Sequence, residues 1–118
     1  MVLGPDGAIY IGTGDAAQPN LAQDDASLNG KVLRLDTATG QAAIFSKGHR
    51  NVQGLCFAPG GRFLATEHGP ERGDEVNELH QGYNGGWPGT TGNGIKNWTP
   101  TIAPAGCCLL YTSDAADE

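Results

Sequence analysis

The chain has 118 residues and a formal net charge of −6 at neutral pH. This acidic balance, without any Lys- or Arg-rich run, argues against nucleic-acid binding. No apolar run reaches the roughly 18 residues that a membrane-spanning helix needs, and no signal peptide opens the chain. With 19 Gly, 7 Pro and 7% aromatic residues, the composition favours one small domain of many short strands joined by tight turns.

The predicted elements are short strands separated by glycine-containing turns. In chain order, the predicted strands cover residues 8–12, 31–36, 41–46, 53–58, 62–67 and 75–79. The loop at residues 16–29 is predicted to be polar with a helical turn from Ser27, and residues 98–104 to be extended. Strands at this regular spacing are typical of an all-β sandwich, barrel or propeller.

An internal repeat favours the propeller among these architectures. The segment GPDGAIYIG, from Gly4, recurs as APGGRFLAT, from Ala58, about 54 residues further on. That period is close to the length of a propeller blade, which is one four-stranded sheet. A propeller needs about four blades or more, and this chain holds about two. We therefore expect an all-β partial propeller with exposed blade edges.

Two polar clusters flank a predicted hairpin. Residues 49–51 precede the strand at 53–58, and residues 68–70 follow the strand at 62–67. A turn of Pro59, Gly60 and Gly61 joins the strands, so an antiparallel hairpin brings both clusters to one rim. Binding and catalytic residues of β scaffolds usually lie on such a rim.

The three cysteines predict neither a zinc site nor a redox motif. Cys56 lies in a strand pattern, which favours a small buried apolar side chain. Cys107 and Cys108 are adjacent, without CxxC spacing or a His partner.

The final segment 108–118, CLLYTSDAADE, resembles a read-through translation of the transposon-end adapter of shotgun sequencing libraries. A natural acidic tail is the alternative, but the segment follows no structural period. We expect residues 1–106 to be native, with Met1 internal to a longer protein, and 107–118 to be foreign. Removing the acids at 114, 117 and 118 reduces the acids from 13 to 10 against 7 bases, leaving a net charge of about −3.

Six motifs carry a family resemblance. GPDGAIYIGTGD, SLNGKVLRLD, GHRNVQGL, ATEHGPERGDEVNEL, GGWP and WTPTIAPAG follow each other in the order and spacing of the soluble PQQ-dependent sugar dehydrogenases. The chain therefore resembles the glucose/sorbosone dehydrogenase family, which includes soluble aldose dehydrogenases, over residues 3–106. The resemblance implies a periplasmic or secreted six-bladed β-propeller, with pyrroloquinoline quinone (PQQ) bound on calcium over the central axis. It implies that a His takes the proton of the aldose C1-hydroxyl while hydride passes to PQQ, and that an external acceptor removes the electrons after lactone formation.

The resemblance assigns catalytic and cofactor-binding roles position by position. Arg50 and Asn51 match the pair that contacts PQQ, where Arg50 stabilises charge on the quinone oxygen. Asp74 matches the acid that orients the catalytic His and raises its basicity. Trp98 and Thr101 match residues that line the PQQ pocket. The alternatives are a rim salt bridge for Arg50 and a packed core aromatic for Trp98.

The resemblance also implies two calcium sites. Gly69 and Pro70 match residues whose backbone carbonyls hold the cofactor calcium, and the alternative is an ordinary Gly-Pro turn. Glu75 matches a ligand of a second, structural calcium, with the carbonyl of Gly85 completing that site. From Asn84 this chain reads NGGWP where the family usually has NYGWP, and the missing ring is expected to loosen the second site.

Two departures from the family pattern bear on activity. Val52 replaces the Pro of GHRNPQG, which restores a backbone N–H without removing a contact group. The catalytic base of the family lies in an H-x-G-G stretch that would precede Met1. We therefore expect none of His49, His68 and His80 to be the base, with His49 structural and His80 on the surface.

Three interpretations compete. The first is a fragment of a PQQ-dependent aldose dehydrogenase, inactive as the present chain. The second is a non-catalytic propeller that binds protein or carbohydrate, and the third is an isolated structural domain. The convergence of Arg50–Asn51, Gly69–Pro70 and Asp74 on one rim favours the enzyme, because a scaffold has no need of a cation, an amide and a calcium turn together.

Overall fold

The computed structural model describes residues 1–70, 73–90, 96–98 and 106–107. This described part is all-β, as predicted, and contains only short 3-10 helices besides strands. None of its helices is long and apolar enough to cross a membrane. The strands are β1 (Val2–Leu3), β2 (Ile9–Gly12), β3 (Val32–Leu35), β4 (Ala42–Lys47), β5 (Val52–Phe57), β6 (Phe63–Glu67), β7 (Asp74–Leu79), β8 (Tyr83–Asn84) and β9 (Lys96–Trp98).

The strands form two sheets. The first has the order β1-β2-β3-β4-β8, antiparallel except that β8 runs parallel to β4. The second has the order β5-β6-β7-β9 and is antiparallel throughout. The two copies of the sequence repeat fall on β2 and β6, each the second strand of its sheet. The repeat therefore corresponds to equivalent positions in two similar sheets.

An aromatic cluster packs the two sheets together. The ring of Tyr10, on β2, meets Phe45, Phe57 and Phe63 edge-on, with centroids 5.1, 5.4 and 4.9 Å away. Phe57 stacks on Phe63 at 4.1 Å. Aromatic pairs stabilise by about 0.5–1.5 kcal/mol beyond area burial, so this cluster fixes one sheet against the other. The buried core also contains Ala8, Val32, Leu55, Ala65 and Leu79.

The six predicted strands all form, each within one residue of its predicted ends. The helical turn predicted from Ser27 is wrong, because a 3-10 helix forms earlier, at Pro19–Gln23. Pro fits the first turn of a helix, where its missing N–H would have no intrahelical partner, and Ala22 is fully buried there. Asp24 instead caps the following turn by accepting a hydrogen bond from Ala26 N at 2.9 Å.

Cys56 is buried, as predicted, but it is part of a disulfide that was not anticipated. Cys56 forms a disulfide with Cys107, 51 residues further on, with their Cα atoms 5.5 Å apart. Sequence spacing does not reveal such a pairing, because the fold alone brings β5 close to residue 107. Segment 108–118 and the part of 98–104 beyond Trp98 lie outside the described residues.

Candidate functional site

The two polar clusters meet at one rim of the second sheet, as predicted. The backbone N–H of His68 donates to the carbonyl of Asn51 at 3.0 Å. The Arg50 side chain reaches across the hairpin, and its Nη1 donates to the carbonyl of Gly69 at 2.9 Å. The hairpin β5–β6 therefore holds a cation, an amide and the Gly69 turn side by side.

The guanidinium of Arg50 is fixed from two directions. Its Cζ lies 5.8 Å from the ring centroid of Trp87, within the range of a cation–π contact. The indole Nε1 of Trp87 in turn donates to Oδ2 of Asp15 at 2.9 Å. No carboxylate of the described residues lies within 4.0 Å of the guanidinium, so the rim salt bridge is not seen there.

The loop that follows β2 lies on the same rim. Asn51 forms an isolated bridge with Gly14, and the backbone N–H of Asp15 donates to the carbonyl of Arg50 at 3.0 Å. The side-chain oxygen of Asn51 accepts from Gln53 Nε2 at 2.8 Å. Sequence reasoning missed Asp15 and its contact with Trp87; the available signal was an acid directly after a strand, in GTGD.

A buried hydrogen-bonded chain lies beneath Arg50. His49 is fully buried, and its Nδ1 donates to Oε1 of Glu67 at 2.9 Å because a carboxylate offers only acceptors. Its Nε2 shares a hydrogen bond of 2.8 Å with the hydroxyl of Ser46. The second oxygen of Glu67 accepts from the backbone N–H of Arg50 at 2.6 Å. His49 therefore has the structural role that the sequence predicted, whereas Glu67 was missed.

The chain continues through Asn77. Its Nδ2 donates to Oε1 of Glu75 at 2.8 Å and lies 3.3 Å from Oε1 of Glu67, and both carboxylates are 4% exposed. The hydroxyl of Tyr83 donates to Oδ1 of Asn77 at 2.9 Å. Burial, and then the charges of Glu75 and Glu67, raise the pKa of Tyr83, which keeps its hydroxyl a donor. The side chains of β7 and β8 are thereby joined to the rim.

Asp74 holds the turn that the sequence assigned to calcium. It is fully buried, and its Oδ1 accepts from the backbone N–H of Gly69 at 2.7 Å. The carbonyl of Gly69 already accepts from Arg50, and a carbonyl has a second lone pair that is available to a cation. Pro70 follows as an exposed residue. The predicted His-orienting role of Asp74 stays a prediction.

The backbone at Gly85, in the second predicted calcium site, is closely packed. Gly85 is buried, and a Cβ added there would lie 2.8 Å from the carbonyl oxygen of Gly48. This backbone therefore has no room for the Tyr of the NYGWP motif. The described residues contain no cluster of three or more His, Cys, Asp or Glu side chains suited to a metal ion.

The two remaining predicted site residues lie near or beyond the described part. The backbone of Trp98 pairs with Asp74 between β7 and β9, which places residue 98 beside the rim. Thr101 lies outside the described residues. Their predicted place in a PQQ pocket therefore stays a prediction.

The chain is similar to sugar dehydrogenases in sequence. It is 36% identical over 122 residues to quinoprotein glucose dehydrogenase B of Acinetobacter calcoaceticus, which covers 78% of this chain and 26% of that protein. It is 35% identical over 102 residues to aldose sugar dehydrogenase YliI of Escherichia coli, covering 75% and 28%. The chain spans 26–38% of the length of the curated relatives it matches.

Solved structures and a family model give the same result. A glucose dehydrogenase-like oxidoreductase from Thermus thermophilus superposes with a TM-score of 0.76 at 39% identity, over 82% of this chain and 36% of that one. The PQQ-bound aldose sugar dehydrogenase of Streptomyces coelicolor superposes with a TM-score of 0.75 at 34% identity, over 88% and 36%. The model described as Glucose / Sorbosone dehydrogenase matches residues 1–118. The chain therefore belongs to the glucose/sorbosone dehydrogenase family.

Proposed function

We propose that this chain is part of a PQQ- and calcium-dependent dehydrogenase that oxidises the C1-hydroxyl of an aldose to a lactone and delivers the electrons to an external acceptor. The observation that carries the proposal is the Arg50 guanidinium, held at the rim between the Gly69 carbonyl and the Trp87 ring. The relatives named quinoprotein glucose dehydrogenase and PQQ-bound aldose sugar dehydrogenase support the same cofactor.

The complete protein, here called the parent protein, is proposed to be a periplasmic or secreted six-bladed β-propeller. The two sheets with equivalent second strands support an interpretation as about two blades. The chain covers 36% of each of two structural neighbours, which is close to two blades out of six.

The rim residues fit a planar anionic quinone. PQQ carries carboxylates and a flat ring system, and the rim offers a cation in Arg50, whose guanidinium lies over the Trp87 ring, and an amide in Asn51. When bound, PQQ supplies the acceptor for the two electrons of the alcohol oxidation. Arg50 would donate its N–H groups to the developing charge on the quinone oxygen, a contribution that preorganised donors make without reorganisation. Trp87, held by Asp15, would keep Arg50 oriented.

Two of the chain's three histidines, His49 and His80, are unsuited to the role of base. Both ring nitrogens of His49 are hydrogen-bonded in a fully buried site, and His80 is exposed with Nδ1 3.1 Å from the carbonyl of Gln81. We propose that the base comes from a His of the parent protein, oriented by Asp74. The 118-residue chain is accordingly proposed to be inactive.

The cofactor calcium is proposed to bind the carbonyls of Gly69 and Pro70. Calcium prefers hard oxygen ligands, backbone carbonyls among them. Asp74 fixes this turn through the Gly69 N–H, so its carboxylate also places negative charge close to the ion. A second calcium at Glu75 and Gly85 is proposed as a structural ion, with the Glu75 carboxylate oriented by the hydrogen bond that it accepts from Asn77.

The test is reconstitution of the parent protein with PQQ and calcium, followed by aldose-dependent dye reduction. Arg50→Ala should lower kcat/KM by about 100-fold or more, the loss seen when one charge-stabilising donor is removed. Arg62→Ala is the matched control, because Arg62 lies at the far end of the same hairpin and pairs with Glu78 on the surface. Equal effects of the two substitutions would overturn the PQQ assignment. A parent protein that binds sugar but neither binds nor needs PQQ would establish the non-catalytic binding propeller instead.

A further inference from the structure

The carboxylate of Glu67 is buried beside the rim, and the proposed chemistry gives it no part. Only 4% of the residue is exposed. A carboxylate buried to this extent needs donors to compensate for lost hydration. Glu67 has a backbone donor at 2.6 Å, an imidazole donor at 2.9 Å and an amide donor at 3.3 Å, from Arg50, His49 and Asn77 respectively.

These donors connect Glu67 to Arg50 at the main chain. The backbone N–H of Arg50 donates to Oε2 of Glu67, while the neighbouring His49 ring donates to the other oxygen. The guanidinium of the same Arg50 donates to the carbonyl of Gly69, two residues after Glu67. Arg50 is therefore held at two points. The Glu67 carboxylate holds its backbone N–H, and the Gly69 carbonyl holds its guanidinium.

We propose that Glu67 is a positioning residue of the cofactor site: its carboxylate fixes the backbone of Arg50 and so sets where the guanidinium lies between Gly69 and Trp87. This inference rests on the proposed function, because the ligand that Arg50 meets is taken to be PQQ. His49 and Asn77 support Glu67 from the two remaining sides, and Ser46 supports His49 in turn.

The role needs both the position of the carboxylate and the acceptor character of its two oxygens. In Glu67→Asp the charge remains, but the shorter side chain withdraws the carboxylate from the Arg50 N–H by about one carbon–carbon bond. In Glu67→Gln the size remains, but one acceptor oxygen becomes a donor that faces other donors. Both substitutions should release Arg50, and neither touches PQQ directly.

The experiment is a double-mutant cycle on the dissociation constant of PQQ, measured with the parent protein in calcium by quenching of tryptophan fluorescence. With Arg50 present, Glu67→Asp should weaken PQQ binding about tenfold. In the Arg50→Ala background the same substitution should change the constant by less than about twofold, because the group it positions is gone. Glu78→Asp, an exposed acid paired with Arg62 in the same sheet, is the matched control and should have no effect in either background.

The possible results separate the two proposals. A Glu67→Asp effect of equal size in both backgrounds, or no effect with Arg50 present, overturns the positioning role and leaves the PQQ assignment in place. Absence of PQQ binding by the unsubstituted parent protein overturns both. If Glu67→Asp does not fold by circular dichroism, Glu67→Gln takes its place in the cycle with the same expected outcome. Amide hydrogen exchange at Arg50 gives an independent readout. The exchange rate should be higher in whichever Glu67 variant folds than in the unsubstituted protein, and it should stay low in Glu78→Asp.

Discussion

Lys31 is a buried cation whose ammonium group is held by two backbone carbonyls. It is fully buried at the start of β3, and its Nζ donates to the carbonyls of Leu21 and Asn29, each at 2.7 Å. Burial lowers the pKa of Lys31, while Asp24 and Asp25 oppose that shift. The two hydrogen bonds tie the polar loop to the first sheet.

Lys31→Met should therefore destabilise the chain although it adds an apolar side chain to a buried position. The partly buried carbonyls of Leu21 and Asn29 lose their charged donor, although the Leu21 carbonyl still accepts from Asp24 N at 3.1 Å. The loss of one such hydrogen bond costs about 1–3 kcal/mol in the free energy of unfolding. Lys47→Met removes only a partly exposed ion pair with Asp25 and should cost less than about 1 kcal/mol. Urea denaturation of the three proteins measures the difference, and a larger loss for Lys47→Met would contradict this account.

The contacts of Asp6 make the stability of the chain depend on pH. Asp6 accepts hydrogen bonds from Ala8 N at 3.1 Å, from the Tyr10 hydroxyl at 2.9 Å and from Arg34 Nε at 3.1 Å. These contacts, the Ala8 bond first, lower the pKa of Asp6 below its usual 3.8. A lowered carboxyl pKa means that the stabilisation is complete above pH 3.8 and is lost as the pH falls further, through the folded-state pKa.

The urea midpoint of Asp6→Asn should accordingly lie below that of the unsubstituted chain at pH 6, and the gap should narrow below about pH 3. Arg34→Gln keeps the Ala8 and Tyr10 hydrogen bonds and should show a smaller change of the same kind. If the difference in urea midpoint were the same at pH 6 and below about pH 3, the charge of Asp6 would contribute nothing to stability.

Sequence reasoning placed the two polar clusters, residues 49–51 and 68–70, on one rim from the hairpin alone. Arg50 and Gly69 do lie together, because a hairpin necessarily brings its two ends to one place. The contact of Asp15 with Trp87 was missed, since it joins residues 72 positions apart through a loop without a period. Glu67 was missed for another reason: in ATEHGP it is one polar residue among several, and only its burial distinguishes it.

At the scale of elements, short apolar or alternating runs between turn residues predicted the longer strands, and the shorter strands were missed. Strands β2 to β7 each have four or more residues, enough for a pattern to be visible. Strand β8 has two residues, Tyr83–Asn84, and exists because the chain docks parallel to the end of β4. Its formation depends on that tertiary contact, which no local pattern encodes.

The docking of β8 can be tested at Gly48, in the connection from β4 to β5. Gly48 has φ +75°, and a Cβ there would overlap the side-chain oxygen of Asn84 and approach Gly86 N to 2.7 Å. Gly7 has a similar φ of +85°, but a Cβ would have open space. Both Ala substitutions carry the left-handed backbone penalty of about 1–2 kcal/mol, and only Gly48→Ala adds the clash.

Gly48→Ala should therefore destabilise the chain by at least about 1 kcal/mol more than Gly7→Ala. It should also loosen β8, because the overlap lies against Asn84. Thermal unfolding measures the first effect, and amide exchange at Tyr83 and Gly85 measures the second. Equal melting temperatures for the two variants would show that β8 is not docked against residue 48.

At the scale of the whole molecule, two similar sheets share one aromatic core. Tyr10 and Phe45 come from the first sheet, and Phe57 and Phe63 from the second, so neither sheet buries its inner face alone. The β4 edge of the first sheet is only partly paired. Strand β4 pairs with β8 at Ser46 and Lys47, and the Phe45 carbonyl accepts from Gly82 N at 2.8 Å. Residues 42–44 therefore offer an unpaired edge within the described part of the molecule.

The unpaired part of β4 should make the 118-residue chain self-associate when it is alone in solution. A cavity of about 390 Å³ next to the same edge of the first sheet is lined by the apolar side chains of Ile44, Phe45 and Tyr83 and by the ion pair of Lys47 with Asp25. An unpaired strand beside apolar surface favours edge-to-edge pairing with another chain. We expect the isolated chain to self-associate at about 100 μM, as measured by light scattering after size exclusion.

Ile44→Lys should reduce this association, because edge lysines oppose strand pairing. Thr37→Lys is the control: it adds the same charge in an exposed turn away from the edge and should leave the association unchanged. A chain that stays monomeric, or two lysine variants that behave alike, would show that the β4 edge is not what drives association.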